Sequence, residues 1–157
     1  MNILGIQFTL QTHSLEIYVS GCMASPHCRG CHNPESWDFS QGIKYDEDYF
    51  NNKIKSKADE FNNLIKNIMI FGGEPLDQDR LEFLNMLHDL KTLNIPIWIF
   101  TRYDIQDVPI DIVELCDYIK CGKYIEELKS PVAQYGITLA TTNQHIYKKE
   151  DVIKNIS

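Results

Sequence analysis

Two hydrophobic periods alternate along this 157-residue chain and predict its elements. Residues 3–10 and 14–20 read as two short strands joined by a polar turn, and the second is β-branched and aromatic. A turn at 41–43 leads to a helix from about 46 to 67. Phe50, Ile54, Ala58, Phe61 and Ile65 give that helix one apolar face near a 3.6 period, and its Lys, Asp, Glu and Asn face reads as solvated surface. The run Asn67-Ile68-Met69-Ile70-Phe71 is continuously apolar, as a parallel strand buried on both faces would be. A second helix follows, capped by Asp77 or Asp79, with Phe83, Met86, Leu87 and Leu90 as its buried stripe. Then come a strand at 95–100, a short helix at 111–116 and a strand at 117–121. A helical turn is expected at 124–129, broken by Pro131, and final strands at 136–140 and 144–147.

Strand–helix alternation through the middle predicts a parallel α/β sheet. A closed eightfold barrel needs about 250 residues. A chain of this length therefore predicts an incomplete parallel β/α barrel, open along one side, in a single domain over residues 1–157. Charge adds little: hydrophobic content of 43%, charged content of 24% and a net charge of −7 are ordinary for a soluble protein and disfavour nonspecific nucleic-acid binding. No apolar run approaches the length of a membrane span, so no membrane association is expected. The opening MNILGIQFTLQTHS lacks the pattern of a secretory signal. Five cysteines, an odd number, favour reduced thiols in a cytoplasmic setting over a disulfide framework.

Three of those cysteines change the picture. Cys22, Cys28 and Cys31 fall within ten residues, spaced C-x5-C-x2-C, in a loop where Gly21, Pro26, Gly30 and Pro34 prevent regular structure. Such a loop at the C-terminal end of a strand is where α/β folds place their chemistry. Two centres suit three clustered thiols. One is tetrahedral zinc, with His27 or His32 as fourth ligand. The other is a [4Fe–4S] cubane that leaves one iron free of protein sulfur. A second motif, Gly72-Gly73-Glu74-Pro75, ends the apolar strand. Its glycines allow close backbone approach to a ligand, and Glu74 sets a carboxylate there to accept bonds from an amine. Alone, the motif also reads as a tight strand-to-helix turn.

Together, these motifs resemble the radical S-adenosylmethionine (SAM) superfamily. Tyr18-Val19-Ser20-Gly21-Cys22, the block Cys28 to Trp37, Gly72 to Leu76, Trp98 to Thr101 and the late Asn143-Gln144 resemble the activating enzymes of anaerobic ribonucleotide reductase. The resemblance spans nearly the whole chain. It implies one [4Fe–4S] cluster per chain held by Cys22, Cys28 and Cys31, with SAM chelating the fourth iron. It implies that Gly72, Gly73 and Glu74 form the motif that takes the SAM amine. Gly30 and His32 would flank the adenine, and Thr101 would lie near the ribose or methionine end. The implied reaction is reductive cleavage of SAM to a 5′-deoxyadenosyl radical, which makes a glycyl radical on the reductase large subunit. A reduced flavodoxin- or ferredoxin-like protein would supply the electron, and the partner would supply the lid. The nearest alternative is an activase of the pyruvate formate-lyase type; a non-catalytic zinc module is a third. The chain departs from the resembled pattern in three places. Two extra residues lie between the first cysteines, His32 stands where an aromatic residue is common, and Lys120-Cys121-Gly122 stands where relatives carry an aspartate before the glycine. Cys121 reads as a core residue or as a thiol facing the pocket; Cys116 reads as core. Trp37, Arg29 and Glu35 read as partner-facing, with a core position equally open for Trp37. His88 reads as structural or solvated.

Overall fold

The computed structural model describes residues 1–31 and 33–156. Seven strands form one sheet in the order β3-β1-β2-β4-β5-β6-β9. They are β1 (Asn2–Thr9), β2 (Ser14–Val19), β3 (Ile43–Lys44), β4 (Asn67–Gly72), β5 (Ile97–Phe100), β6 (Tyr118–Cys121) and β9 (His145–Lys148). The centre, β2-β4-β5-β6, is parallel, and β1, β3 and β9 add antiparallel edges. The sheet does not close on itself, since its order runs from β3 at one edge to β9 at the other. The antiparallel edges correct the expectation of an all-parallel sheet. β1 and β2 are joined by a short turn, and so short a connection forces antiparallel pairing.

The two faces of the sheet are covered differently. Ile17, Ile68, Ile70, Ile97, Ile99 and Ile119 point to one side, against Phe83, Met86, Leu87 and Leu90 of α3 (Arg80–Lys91) and Ile112 and Val113 of α4 (Ile110–Leu115). Each fully buried side chain of this size contributes about 1.5–3 kcal/mol. Cys116 and Cys121 belong to this same core. The opposite face carries Met69, Trp98, Phe71, Phe100 and Tyr118, packed against Leu139, Ile137 and Ile146. Leu139 and Ile137 come from a separate two-stranded hairpin, β7 (Lys129–Gln134) and β8 (Ile137–Thr141).

Two expectations about elements are corrected, one is narrowed, and one helix is added. The first helical segment runs through α1 (Glu47–Tyr49), a π-helical stretch (Phe50–Lys55) and α2 (Ser56–Glu60), and so ends earlier than 67. Phe61 leaves the helical conformation, and its ring instead stacks on Phe8 at 4.5 Å. Pro131 does not break the chain. It sits inside β7, at a register shift between Lys129 and Val132, on a strand bonded only to β8, where a missing N–H is tolerated. Residues 124–129 hold only a 3-10 turn, Glu126–Leu128. A last helix, α5 (Lys149–Ile156), buries Val152 against the helical side of the core. Among the described residues, no helix is long and apolar enough to cross a membrane.

Candidate functional site

The cysteine loop leaves the C-terminal end of β2 and is tied to the end of β4 by main-chain bonds. The amide of Gly73 donates to the Val19 carbonyl at 2.9 Å, and the amide of Glu74 donates to the Gly21 carbonyl at 2.8 Å. Gly21 and Cys22 in turn donate to the carbonyls of Ser36 and Trp37, closing the loop at its far end. The double glycine makes this possible. A Cβ on Gly72 would lie 2.1 Å from the Val19 carbonyl oxygen, and one on Gly73 would lie 2.1 Å from that of Gly21. Gly72 also has φ of +128°. The close approach expected toward a ligand is thus made first toward the protein's own cysteine loop. Gly73→Ala is expected to dislodge that loop, lowering the urea midpoint and the iron bound after reconstitution. A backbone clash of this kind costs more than the usual 0.5–3 kcal/mol of a point substitution.

One open cavity of about 580 Å³ brings the predicted residues together. Cys22, Gly30, Cys28, Cys31, Gly73, Glu74 and Thr101 all line it. Gly72 stands behind the wall, against Val19. His32 lies outside the described residues. All five cysteines are free thiols; the three of the loop are partly exposed, and Cys116 and Cys121 are buried. Burial pushes the Cys121 thiol up to about 12, the value expected of a core residue. Trp37 also lines the cavity; its indole N–H reaches the Cys31 sulfur at 3.4 Å, and its ring stacks on His27 at 4.0 Å. His27 in turn places Nε2 3.2 Å from the Cys22 carbonyl oxygen. Among the described residues, no three His, Cys, Asp or Glu side chains are drawn in around one point as a metal would draw them. The thiols share a wall. The donor set suits an iron–sulfur cluster, since three unpaired thiols border one space with a tryptophan N–H on one sulfur.

Glu74 is 1% exposed and is the hub of this site. Its Oε1 accepts from the Thr101 hydroxyl at 2.6 Å and the Leu76 amide at 3.0 Å, and its Oε2 accepts from the Arg102 amide at 2.8 Å. Two oxygens offer about four acceptor positions, so among the described residues one is without a hydrogen bond, on Oε2, which Arg102 Nε faces at 3.9 Å. Burial raises the Glu74 pKa, and the three donors oppose that rise.

Four charged residues in or beside the cavity stand out in the structure and not in the sequence motifs. Of the two candidate caps, Asp79 caps α3, accepting from the Glu82 amide. Asp77 instead accepts from the Met23 amide at 2.7 Å, the Tyr103 hydroxyl at 2.6 Å and Arg102 Nη2 at 3.1 Å. It thereby fastens the cysteine loop to the ends of β4 and β5. Removing its carboxylate takes the acceptor from the Met23 amide and the Tyr103 hydroxyl and leaves Arg102 without its closest ion pair. Asp77→Ala is expected to cost about 2–4 kcal/mol in urea unfolding. Arg102 lines the cavity, and among the described residues its buried Nε has no hydrogen bond; it lies 3.9 Å from Glu74. Lys120 also lines the cavity, bonded to the Gly122 carbonyl, and burial lowers its pKa to about 8. Glu16 lines the far end. The signal for Lys120 and Glu16 was a charged residue at an inward position of a strand. Gln144, from the late Asn-Gln block, is buried and bonds the Gly122 carbonyl and the amides of Ala140 and Thr141, so it fixes the β8–β9 turn.

The chain is similar in sequence to known proteins. The chain is 28% identical over 121 residues to the anaerobic ribonucleoside-triphosphate reductase-activating protein of Haemophilus influenzae, covering 73% of this chain and 76% of that one. It is 26% identical over 138 residues to the protein of the same name from Vibrio cholerae, covering 84% and 85%. The Escherichia coli O157:H7 protein of that name is 26% identical over 124 residues, covering 73% and 77%. The match to the 4Fe-4S single cluster domain family takes in residues 12–147, and therefore both the cysteine loop and the glycine turn: the chain belongs to that family.

Proposed function

We propose that this protein is a radical SAM activase that generates the glycyl radical of an anaerobic ribonucleoside-triphosphate reductase; its relatives are named activating proteins of that reductase. In this reading residues 1–157 form one domain, an open β/α barrel of the radical SAM type. Cys22, Cys28 and Cys31 hold one [4Fe–4S] cluster. Glu74 takes the SAM amine on the open acceptor position of Oε2, and Thr101 holds the carboxylate in place. Gly73 keeps the backbone beside the ligand bare, and Gly30 and His32 border the adenine. When bound, the cluster supplies the electron that cleaves the sulfonium and leads to hydrogen removal from a glycine of the reductase large subunit. Arg102 and Asp77 keep the loop and the strand ends in register. The electron would come from a flavodoxin- or ferredoxin-like donor.

The observation that supports this reading is the meeting of the three-thiol loop and the Gly73-Glu74 turn on one cavity, at the C-terminal end of parallel strands. A zinc module would have no use for that turn. The test is anaerobic reconstitution with iron and sulfide, then reduction and addition of SAM and a reductase large subunit. A brown protein, SAM cleaved to methionine and 5′-deoxyadenosine, and a glycyl doublet in electron paramagnetic resonance are expected. A colourless protein with one tight zinc, or one that leaves SAM intact, overturns the reading.

A further inference from the structure

The cavity does not end at the cysteine loop. It runs along the inner sheet face, beneath β8, to Gln11 and Thr12 in the β1–β2 turn. Its floor is apolar, formed by Met69, Phe71 and Phe100. At the far end stands one carboxylate, Glu16, which is 9% exposed and paired across the sheet with Gln7 and Met69. Both of its hydrogen bonds fall on one oxygen: Gln7 Nε2 and the Tyr18 hydroxyl each donate to Oε2 at 2.7 Å. Burial and the bond to Glu16 raise the Tyr18 pKa, so that phenol stays a neutral donor. Among the described residues Oε1 has no partner, and Glu16 is in no ion pair. The cavity's Lys120 is on β6, three strands away, or about 14 Å at the usual strand spacing, and feels Glu74 and Cys28 instead. Glu16 Oε1 opens on the cavity, where a carboxylate held only by neutral donors is placed to accept a charge-assisted bond from a cation.

The structure assigns Glu16 as a specificity-determining residue: its free oxygen receives a cationic side chain, lysine or arginine, from the polypeptide segment that carries the reacting glycine. This deepens the function proposed above and rests on it. From Glu16 to Ser20, where the cysteine loop begins, is four residues of strand, or about 13 Å. An extended segment lying on the apolar floor spans that length with about four residues. The basic side chain therefore lies about three to five positions from the glycine. No charged group among the described residues meets that oxygen of Glu16, and in this proposal the substrate supplies the charge.

The test titrates a reductase large subunit against the reduced, cluster-loaded protein with SAM and reads the glycyl doublet. Glu16→Gln keeps the shape and both neighbours but removes the charge. The half-saturating reductase concentration is expected to rise at least tenfold, while SAM cleavage without reductase stays within twofold of wild type. On the reductase, the basic residue in the predicted window is replaced by methionine. That change is expected to produce the same loss against wild type and no further loss against Glu16→Gln. An unchanged half-saturation in Glu16→Gln, or losses that multiply, overturns the proposal. The reductase variant alone decides the matter should Glu16→Gln fail to fold, because indifference of the wild-type protein to that variant also overturns it. Absence of SAM cleavage by the wild-type protein is a different failure, that of the function proposed above.

Discussion

Cys28→Ser is expected to abolish glycyl-radical formation, while Cys116→Ser leaves it intact. The serine hydroxyl is a poor ligand for iron because it does not ionise near neutral pH, whereas cluster sulfur is held by thiolate. With one of three tethers gone, the bound iron and its visible absorption should fall together. Activity should drop at least about a thousandfold, some 4 kcal/mol in barrier or assembly. Cys22→Ser and Cys31→Ser are expected to behave alike, because all three border the same cavity. Cys116 is fully buried beneath α4, with its thiol pKa raised by that burial, and touches no part of the cavity. Its replacement should appear only in unfolding, as a loss of about 1 kcal/mol. Iron analysis and electron paramagnetic resonance on the variants separate the two outcomes. Retention of iron in Cys28→Ser would remove the cluster from the account.

The contrast between these cysteines was readable in the sequence, and it is useful to see why. Cys22, Cys28 and Cys31 lie among Gly and Pro, where no packing pattern explains a thiol. Cys116 ends a short helix and Cys121 ends a strand, and both enter the core. The parallel centre was equally legible, because 68–71 and 97–100 are apolar at every position and both faces of those strands are in fact covered. What covers the second face was not. Residues 129–134 of β7 are mostly exposed and include Pro131, so neither period nor composition marks them as a strand. Only pairing with β8, a tertiary fact, makes them one. The π-helical stretch Phe50–Lys55 has the same apolar spacing as an α-helix at this resolution of pattern, so its altered hydrogen bonding was invisible. Asp77 and Asp79 were not separable for a related reason. Aspartate two residues before another aspartate at a helix start offers two caps, and only the position of Arg102 and Met23 in space decides between them.

Glu74→Gln is expected to weaken SAM binding and to change how stability depends on pH, two effects that share one cause. The carboxylate accepts three hydrogen bonds from groups fixed in position: the amides of Leu76 and Arg102 and the hydroxyl of Thr101. In the amide variant one oxygen becomes an NH₂. If it replaces Oε2, it faces the Arg102 amide, donor against donor; if it replaces Oε1, it faces the Leu76 amide. Either way a buried donor loses its acceptor, at about 1–3 kcal/mol. The SAM ammonium loses a charge-assisted bond at the same time. Such a bond contributes about 1.5–3 kcal/mol, so SAM affinity measured by titration of the cluster-loaded protein should fall about 10- to 150-fold. The pH effect has a definite sign. Burial raises the Glu74 pKa above its ordinary 4.5, so the folded protein holds that proton more tightly than the unfolded chain does. Stability from this group is therefore fully present below pH 4.5 and is lost as pH rises through the folded value. Glutamine does not titrate, so the stability gap between wild type and Glu74→Gln, followed by urea unfolding, should narrow as pH climbs from 4.5. Bound SAM, by placing a cation beside the carboxylate, favours the ionised form and should flatten the wild-type slope. A gap that widens with pH would mean that the three donors outweigh burial and hold Glu74 below its ordinary pKa.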